Sequence, residues 1–515
     1  MKKILFILIP LVAIFAVVES CKKKPLDDLD IIFNAGFSDA TASFQFIDAK
    51  TLEQIGLEIS GDVIDITIEG PDKDKVVNFL GGTDIESTQG FLSIALKEGT
   101  LVSEANPVKF HVVAHKDGYF SNSVAIVMTS PGTEHHVVAM VDYNNTPDGV
   151  AAVEDNSIDT DASGATTAPI VIETPVPVSQ GQATIAKVSV PAGTILKDKD
   201  GVVVTGAVST KMAYFNNVDE TSRESFPGGF TADLGDSTVQ FTTAGFVALE
   251  MTTAGGKEIK NFGSPIAMTM EIPAGSKDNN GNLIVAGSEM PIWSYNPNTG
   301  EWTSESTETV STNGQGKLEV TFQMTHLSYW NMDFFGSTCF QGATLSITSN
   351  YTTNNYVKVK FYDGNDQLIK TSYKNIKTGQ SQILNAPQNT SGRLEIFLPN
   401  GEVKNVPVAN YCTGTININI ATPAPPTIRV DVTAYCKTNK AAKVKPTVTV
   451  YARKAGTTAW IYAGEMVNGI ISVQNFELNT QYEVLVYYKG TPYRPAGTYS
   501  ADSPNITFEY EVPEC

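Results

Sequence analysis

With 515 residues the chain is too long for one core, and at ~100–150 residues per domain it predicts about four. Its net charge of −19 is uneven: residues 22–336 hold 18 basic and 42 acidic residues, and the stretch from Ser337 onward holds 16 and 12. So acidic a first half excludes nucleic acid as a partner, because phosphate recognition needs clustered Lys and Arg to displace counterions. Thr, Val, Gly, Asn and Ser fill the sequence. Alternating runs such as KVSVPAG, KLEVTF, VKVKFY and TVTVYA recur with few helical patterns, so the expected class is all-β, as several tandem β-sandwich domains.

Lys2 and Lys3 precede an apolar run from Ile4 to Val18 that is too short for the ~20 residues of a spanning helix, so residues 1–20 read as a signal peptide. The end of the signal, Val18-Glu19-Ser20-Cys21, resembles the lipobox of bacterial lipoproteins, with Glu19 departing from the small residue usual there. That resemblance implies cleavage before Cys21 and palmitate-type acylation of Cys21. It implies a lipid-anchored protein in the bilayer of a bacterial cell envelope, with the outer membrane as the expected site. Stable anchoring takes more than one acyl chain, at ~0.8 kcal/mol per buried methylene. Residues 21–30 follow as a tether.

Residues 31–143 are expected to be a first sandwich, with strands at ASFQFIDA, DVIDITIEG, GFLSIALKEG, VKFHVVAHKDGYF, VAIVMTS and HHVVAMV. The pieces ITIEG and VVAHKDGYFSNS resemble transthyretin-like, carboxypeptidase regulatory-like β-sandwiches. Residues 144–181, rich in Asp, Ser, Thr, Ala and Pro, are expected to be an acidic linker. Asp159, Asp161 and Ser163 there match the opening of a calcium loop, but its twelfth position is Ile170 rather than a bidentate Glu, so no metal is expected.

Residues 182–336 carry an internal duplication. Val190-Pro-Ala-Gly-Thr194 followed by KDKDGVVVTG recurs as Ile272-Pro-Ala-Gly-Ser276 followed by KDNNGNLIVAG, each copy leading into an aromatic strand, MAYFNN and then PIWSYNP. Two related β-halves are expected, with Asp-Gly and Asn-Gly supplying hairpin turns. PAGT, KDGxxxTG, YFN, FPGGF, TAGF, the tryptophan hairpin and THLSYWNMD resemble the extracellular β-domain shared by cartilage intermediate layer protein and bacterial surface lipoproteins. That resemblance implies a non-enzymatic scaffold or adhesion role.

Four cysteines close the chain. Cys339 and Cys412 bracket one stretch and Cys436 and Cys515 another; of three possible connectivities, these two bridges are preferred, in domains 337–420 and 428–515. A Pro-rich spacer, residues 421–427, separates them. In the last domain Leu478-Asn-Thr-Gln-Tyr482 resembles the tyrosine corner of fibronectin type III and immunoglobulin-like sandwiches.

Two stretches are candidates for chemistry. His326-Leu327-Ser328 resembles the self-cleaving tripeptide of adhesion receptors, in which histidine takes the hydroxyl proton and the oxygen attacks the preceding carbonyl, here between Leu327 and Ser328. TFQMTHLSYWNMDF nonetheless reads as one continuous strand. Trp293, Tyr295 and Trp302, in WSYNPNTGEW, are candidates for stacking on a sugar, against a competing role in core packing. No nucleophile elbow, zincin pair, phosphate-binding loop or dinucleotide fingerprint occurs, and no cofactor is expected. The expected function is a lipid-anchored, non-catalytic binding, scaffold or adhesion protein whose partner is an extracellular protein or glycan. A glycan-binding lipoprotein and a self-cleaving surface protein are the alternatives.

Overall fold

A computed structural model describes residues 40–512, apart from 57–62, 79–80, 88, 178–183, 236, 422–425, 458–459, 475, 489–490, 494–497 and 501. The signal, the tether with Cys21, most of the Pro-rich spacer and Cys515 therefore lie outside the described residues. The fold is all-β, in sheets that pack as sandwiches.

The first sandwich sets a four-stranded sheet, with Ala40–Asp48 parallel to Gly132–Met140, over a three-stranded sheet of Asp65–Glu69, Val108–His115 and Asn122–Met128. Alternate residues of each strand face inward, so Ala42, Phe44 and Phe46 meet Phe110, Val112 and Ile126 in one core. Gly118 takes a φ of 86° at the turn before Tyr119, whose hydroxyl donates to Asp48 Oδ2 at 3.2 Å.

The supposed linker is a correction. Residues 144–181 contain the strands Val150–Thr160 and Ile170–Glu173, which form one edge of each of the central sandwich's two sheets and face each other across it. An edge strand keeps one side in water and is often polar, so its composition mimics a linker's. Ile158 and Ile172, both in the central core with Val153 and Ile170 packed against it, mark its inward face.

Both copies of the duplicated motif fold alike. The Thr194 hydroxyl donates to Pro191 O at 2.8 Å and the Ser276 hydroxyl to Pro273 O at 2.7 Å. The hairpins that follow close through Asp198 N to Val202 O and Asp278 N to Asn282 O, both at 2.9 Å, and each aspartate caps its own turn. The strands before each motif, Ala186–Val190 and Asn261–Ile272, pair antiparallel with Lys187 opposite Thr269. Those two residues occupy equivalent positions four before Pro191 and Pro273, so the copies meet about a local twofold. The same symmetry relates Gly206–Phe215 to Glu289–Asn296 and Thr238–Thr253 to Tyr329–Ser349 in the larger sheet, whose strand order runs evenly outward from the last pair.

Tyr329–Ser349 is a single strand of 21 residues. Its first half pairs with the central sandwich, and its second half pairs with Gly379–Pro387 and Thr415–Ile420 of the third unit. The expected boundary at 336/337 thus falls inside a continuous strand. The third core, from Ala343 to Ile420, is bridged by Cys339–Cys412, with Cα atoms 5.8 Å apart. In the last unit Cys436 is also disulfide-bonded, and the Tyr482 hydroxyl accepts the Glu477 N–H at 2.8 Å in the corner arrangement.

The units do not hang as separate beads. Phe91 of the first sandwich stacks on Tyr451 of the last, and Trp460 and Leu485 complete a small buried cluster between them. Tyr356 of the third unit donates its hydroxyl to Thr133 O of the first.

Candidate functional site

The tryptophan hairpin is interior. Trp293, Tyr295 and Trp302 are 1%, 0% and 8% exposed and pack with Phe241, Phe246 and Tyr329 in an aromatic core. No ring face is open to a sugar, which corrects the stacking expectation: period-two alternation put the three rings on one face, but that face is covered by the first sandwich. Tyr295 shares a hydrogen bond with Ser123, His111 Nδ1 donates to Thr299 O at 2.9 Å, and Gly300, at a φ of 76°, has no room for a Cβ against His111. The hairpin is a docking element between the first and central sandwiches.

His326, Leu327 and Ser328 do meet in one place, although not as a continuous strand. Leu318–His326 ends in one sheet and Tyr329–Ser349 begins in the other, so Leu327 and Ser328 form the step between sheets. Leu327 donates its N–H to Lys260 O at 2.8 Å and buries its side chain. His326 Nδ1 lies 3.0 Å from Ser328 Oγ, and its Nε2 lies 3.1 Å from Glu305 Oε1, an oxygen that also accepts from Ser294 Oγ at 2.6 Å. The Trp330 ring, tilted at 5.1 Å, backs the imidazole.

Ser328 also lines a small pocket of about 50 Å³ between the first and central sandwiches, shared with Ser121, Glu250, Glu258, Lys260 and Asn298. Its inner wall is a hydrogen-bonded network. Glu250 Oε1 accepts from the Tyr329 hydroxyl and, at 3.4 Å each, from Ser121 N–H and Oγ–H, while Oε2 accepts from Tyr143 at 3.0 Å. Burial, with Glu250 beside them, pushes both tyrosine hydroxyls far above their ordinary range. Behind Ser121, His115 Nδ1 is 2.7 Å from its hydroxyl, and burial holds that imidazole below its usual value against the pull of Glu250 and Glu258.

Asp333 is a second buried group with no motif around it. It lies on the face of its strand that carries Tyr329 and Asn331, fully enclosed, and neither carboxyl oxygen accepts a hydrogen bond from the described residues. Thr243, paired opposite, gives its hydroxyl proton to Asn331 Oδ1 at 2.8 Å. Burial therefore holds the Asp333 carboxyl well above the carboxylate range, with Thr243 and Arg223 only partly opposing. Sequence reading missed Glu250, Glu305 and Asp333. The signal available for two of them was an isolated acid inside an apolar strand, in GFVALEM and in YWNMDFF. Glu305 had none, because it stands 21 positions from its histidine on a polar edge strand.

Asp161 Oδ1 accepts from Ser163 N and Oγ and from Ala165 N in a tight turn.

No protein-family model matches the chain, and no curated protein matches it. Among solved structures, it is similar to a streptococcal ancillary pilin at 10% identity, over 44% of this chain and 92% of that one, with a TM-score of 0.14. The major pilin subunit BcpA of Bacillus cereus matches at 10% identity over 92% and 99%, also with a TM-score of 0.14. The TIE protein of Bacillus anthracis matches at 7% identity over 72% and 76%, again at 0.14. Superpositions this loose carry no argument about what the chain does.

Proposed function

We propose that this chain is a non-catalytic binding or scaffold protein of a bacterial cell envelope, tethered to the outer membrane through acylated Cys21 and turned toward an extracellular protein or glycan. The observation that supports it most is the way the sandwiches are joined: one 21-residue strand runs through two of them, and the last packs back on the first. A body joined in this way transmits force and presents a fixed surface, which suits a scaffold. Acidity over residues 22–336 keeps that surface soluble among other envelope components.

The anchor is tested by growing cells with a clickable palmitate analogue. The chain is expected to take the label and sediment with membranes, while Cys21→Ser loses the label and leaves the membrane fraction. An unlabelled wild-type chain sinks the anchored reading. Protease added to whole cells then separates an outward from a periplasmic face.

A second reading, self-cleavage between Leu327 and Ser328, draws support from the His326–Ser328 hydrogen bond at a step between strands. It requires two fragments of the denatured wild-type chain, absent from Ser328→Ala.

A further inference from the structure

Glu305, once ionised, offers only acceptor oxygens, so its 3.1 Å contact fixes the His326 proton on Nε2. Nδ1 is then the lone-pair nitrogen, and the Ser328 hydroxyl donates to it at 3.0 Å. This is the tautomer that a general base requires, with a carboxylate orienting the far nitrogen and Ser294 holding that carboxylate in turn. Glu305 arrives from the edge strand Glu301–Thr309, His326 from the end of Leu318–His326, and Ser328 from the step between sheets. Ser328, 8% exposed, opens on the pocket described above. At about 50 Å³, against ~10–15 Å³ by the same measure for one water, the pocket has room for a short acyl group such as acetyl. Glu258 on its wall is paired with Lys260 at 3.0 Å, the single cation among the lining residues, so Glu250 is the carboxylate left to disfavour an anionic acyl group.

The geometry points to Ser328 as a nucleophile toward a neutral short-chain ester entering this pocket, with His326 as its base and Glu305 as a positioning residue. Ser328 Oγ bonds to the ester carbonyl carbon as its proton passes to His326 Nδ1, and the leaving alcohol departs with that proton. Water then adds to the acyl-serine, giving a proton to Nδ1, and the acid leaves as Ser328 takes the proton back. Ester and water become acid and alcohol, and no other reactant is needed. This activity goes beyond the scaffold reading, would replace its non-catalytic part and does not depend on the rest.

The test treats the full chain with a fluorophosphonate probe, maps the adduct by peptide mass, and follows hydrolysis of 4-nitrophenyl acetate. The adduct is expected on Ser328 and absent from Ser328→Ala. Labelling and hydrolysis are expected to slow about 100-fold in His326→Gln and about tenfold in Glu305→Gln, with thermal melts unchanged. Should Ser328→Ala fail to fold, the adduct's position in the wild type decides alone. A wild-type chain with no adduct, or with one elsewhere, overturns the proposal. Labelling of Glu305→Gln at the wild-type rate overturns the positioning role. A chain cut between Leu327 and Ser328 overturns it too, because the electrophile is then the protein's own backbone.

Discussion

Asp333 shows how a single residue sets a pH dependence. A carboxyl whose pKa is raised on folding contributes its full stability below the unfolded value, and that contribution is lost as pH rises. Asp333→Asn keeps the shape and removes the titration. Chemical denaturation is expected to find the variant more stable than the wild type near neutral pH, with the gap closing toward about pH 4. An equal gap at both pH values is inconsistent with a buried, unpartnered acid. At this scale the sequence was legible only in part. His326 and Ser328 were adjacent enough to be read, whereas Glu305 reaches them across a fold that turns three strands toward one point.

Among the elements, the tryptophan hairpin and the disulfide carry distinct energies. Trp302 is buried against Phe241, Phe246 and Tyr295, so Trp302→Ala is expected to cost about 3–5 kcal/mol by urea denaturation, rather than to remove a ligand from an intact fold. Tyr295→Phe keeps the ring but orphans Ser123, and about 1 kcal/mol is expected from the lost hydrogen bond. The Cys339–Cys412 bridge closes a sequence separation of 73, and replacing both cysteines by alanine is expected to cost about 4 kcal/mol in the chain-entropy account, read from the same denaturation curves. The duplicated PAGT and PAGS turns were visible because proline, glycine and a hydroxyl fix turn geometry locally. The edge strand Val150–Thr160 was not, because nothing local separates a polar edge from a polar linker.

Across the whole molecule, three units meet at His135. Its ring stacks on Tyr462 of the last sandwich and meets Tyr356 and Tyr373 of the third edge-on, while Nδ1 lies 2.9 Å from Ser43 Oγ. Beside Tyr462, Glu465 is held by Thr449 and by the Tyr462 hydroxyl. Burial pushes Glu465 up to about 7 and, with His136 nearby, pushes His135 down to about 3. Glu465 therefore withdraws stability as pH rises from 4.5 towards 7, and His135 withdraws it as pH falls from 6.5 towards 3. Thermal melts from about pH 4 to about pH 8 are expected to peak between those limits, and Glu465→Gln is expected to make the alkaline decline shallower, leaving the part that Asp333 contributes. A melting curve for Glu465→Gln that still declines as the wild type does above the peak removes Glu465 from the account.

The sequence by itself determined the fold class, the repeated turns and the spacing of the disulfide that closes the third unit, since alternation, turn chemistry and cysteine placement act over short range. Only the tertiary structure decided that an apparent linker is two edge strands, that one strand belongs to two sandwiches, and that the tryptophan face is sealed. It alone set Glu305 against His326. Each of these depends on which surfaces come to face one another, and strand pairing across a hundred or more residues leaves no local trace in composition or period.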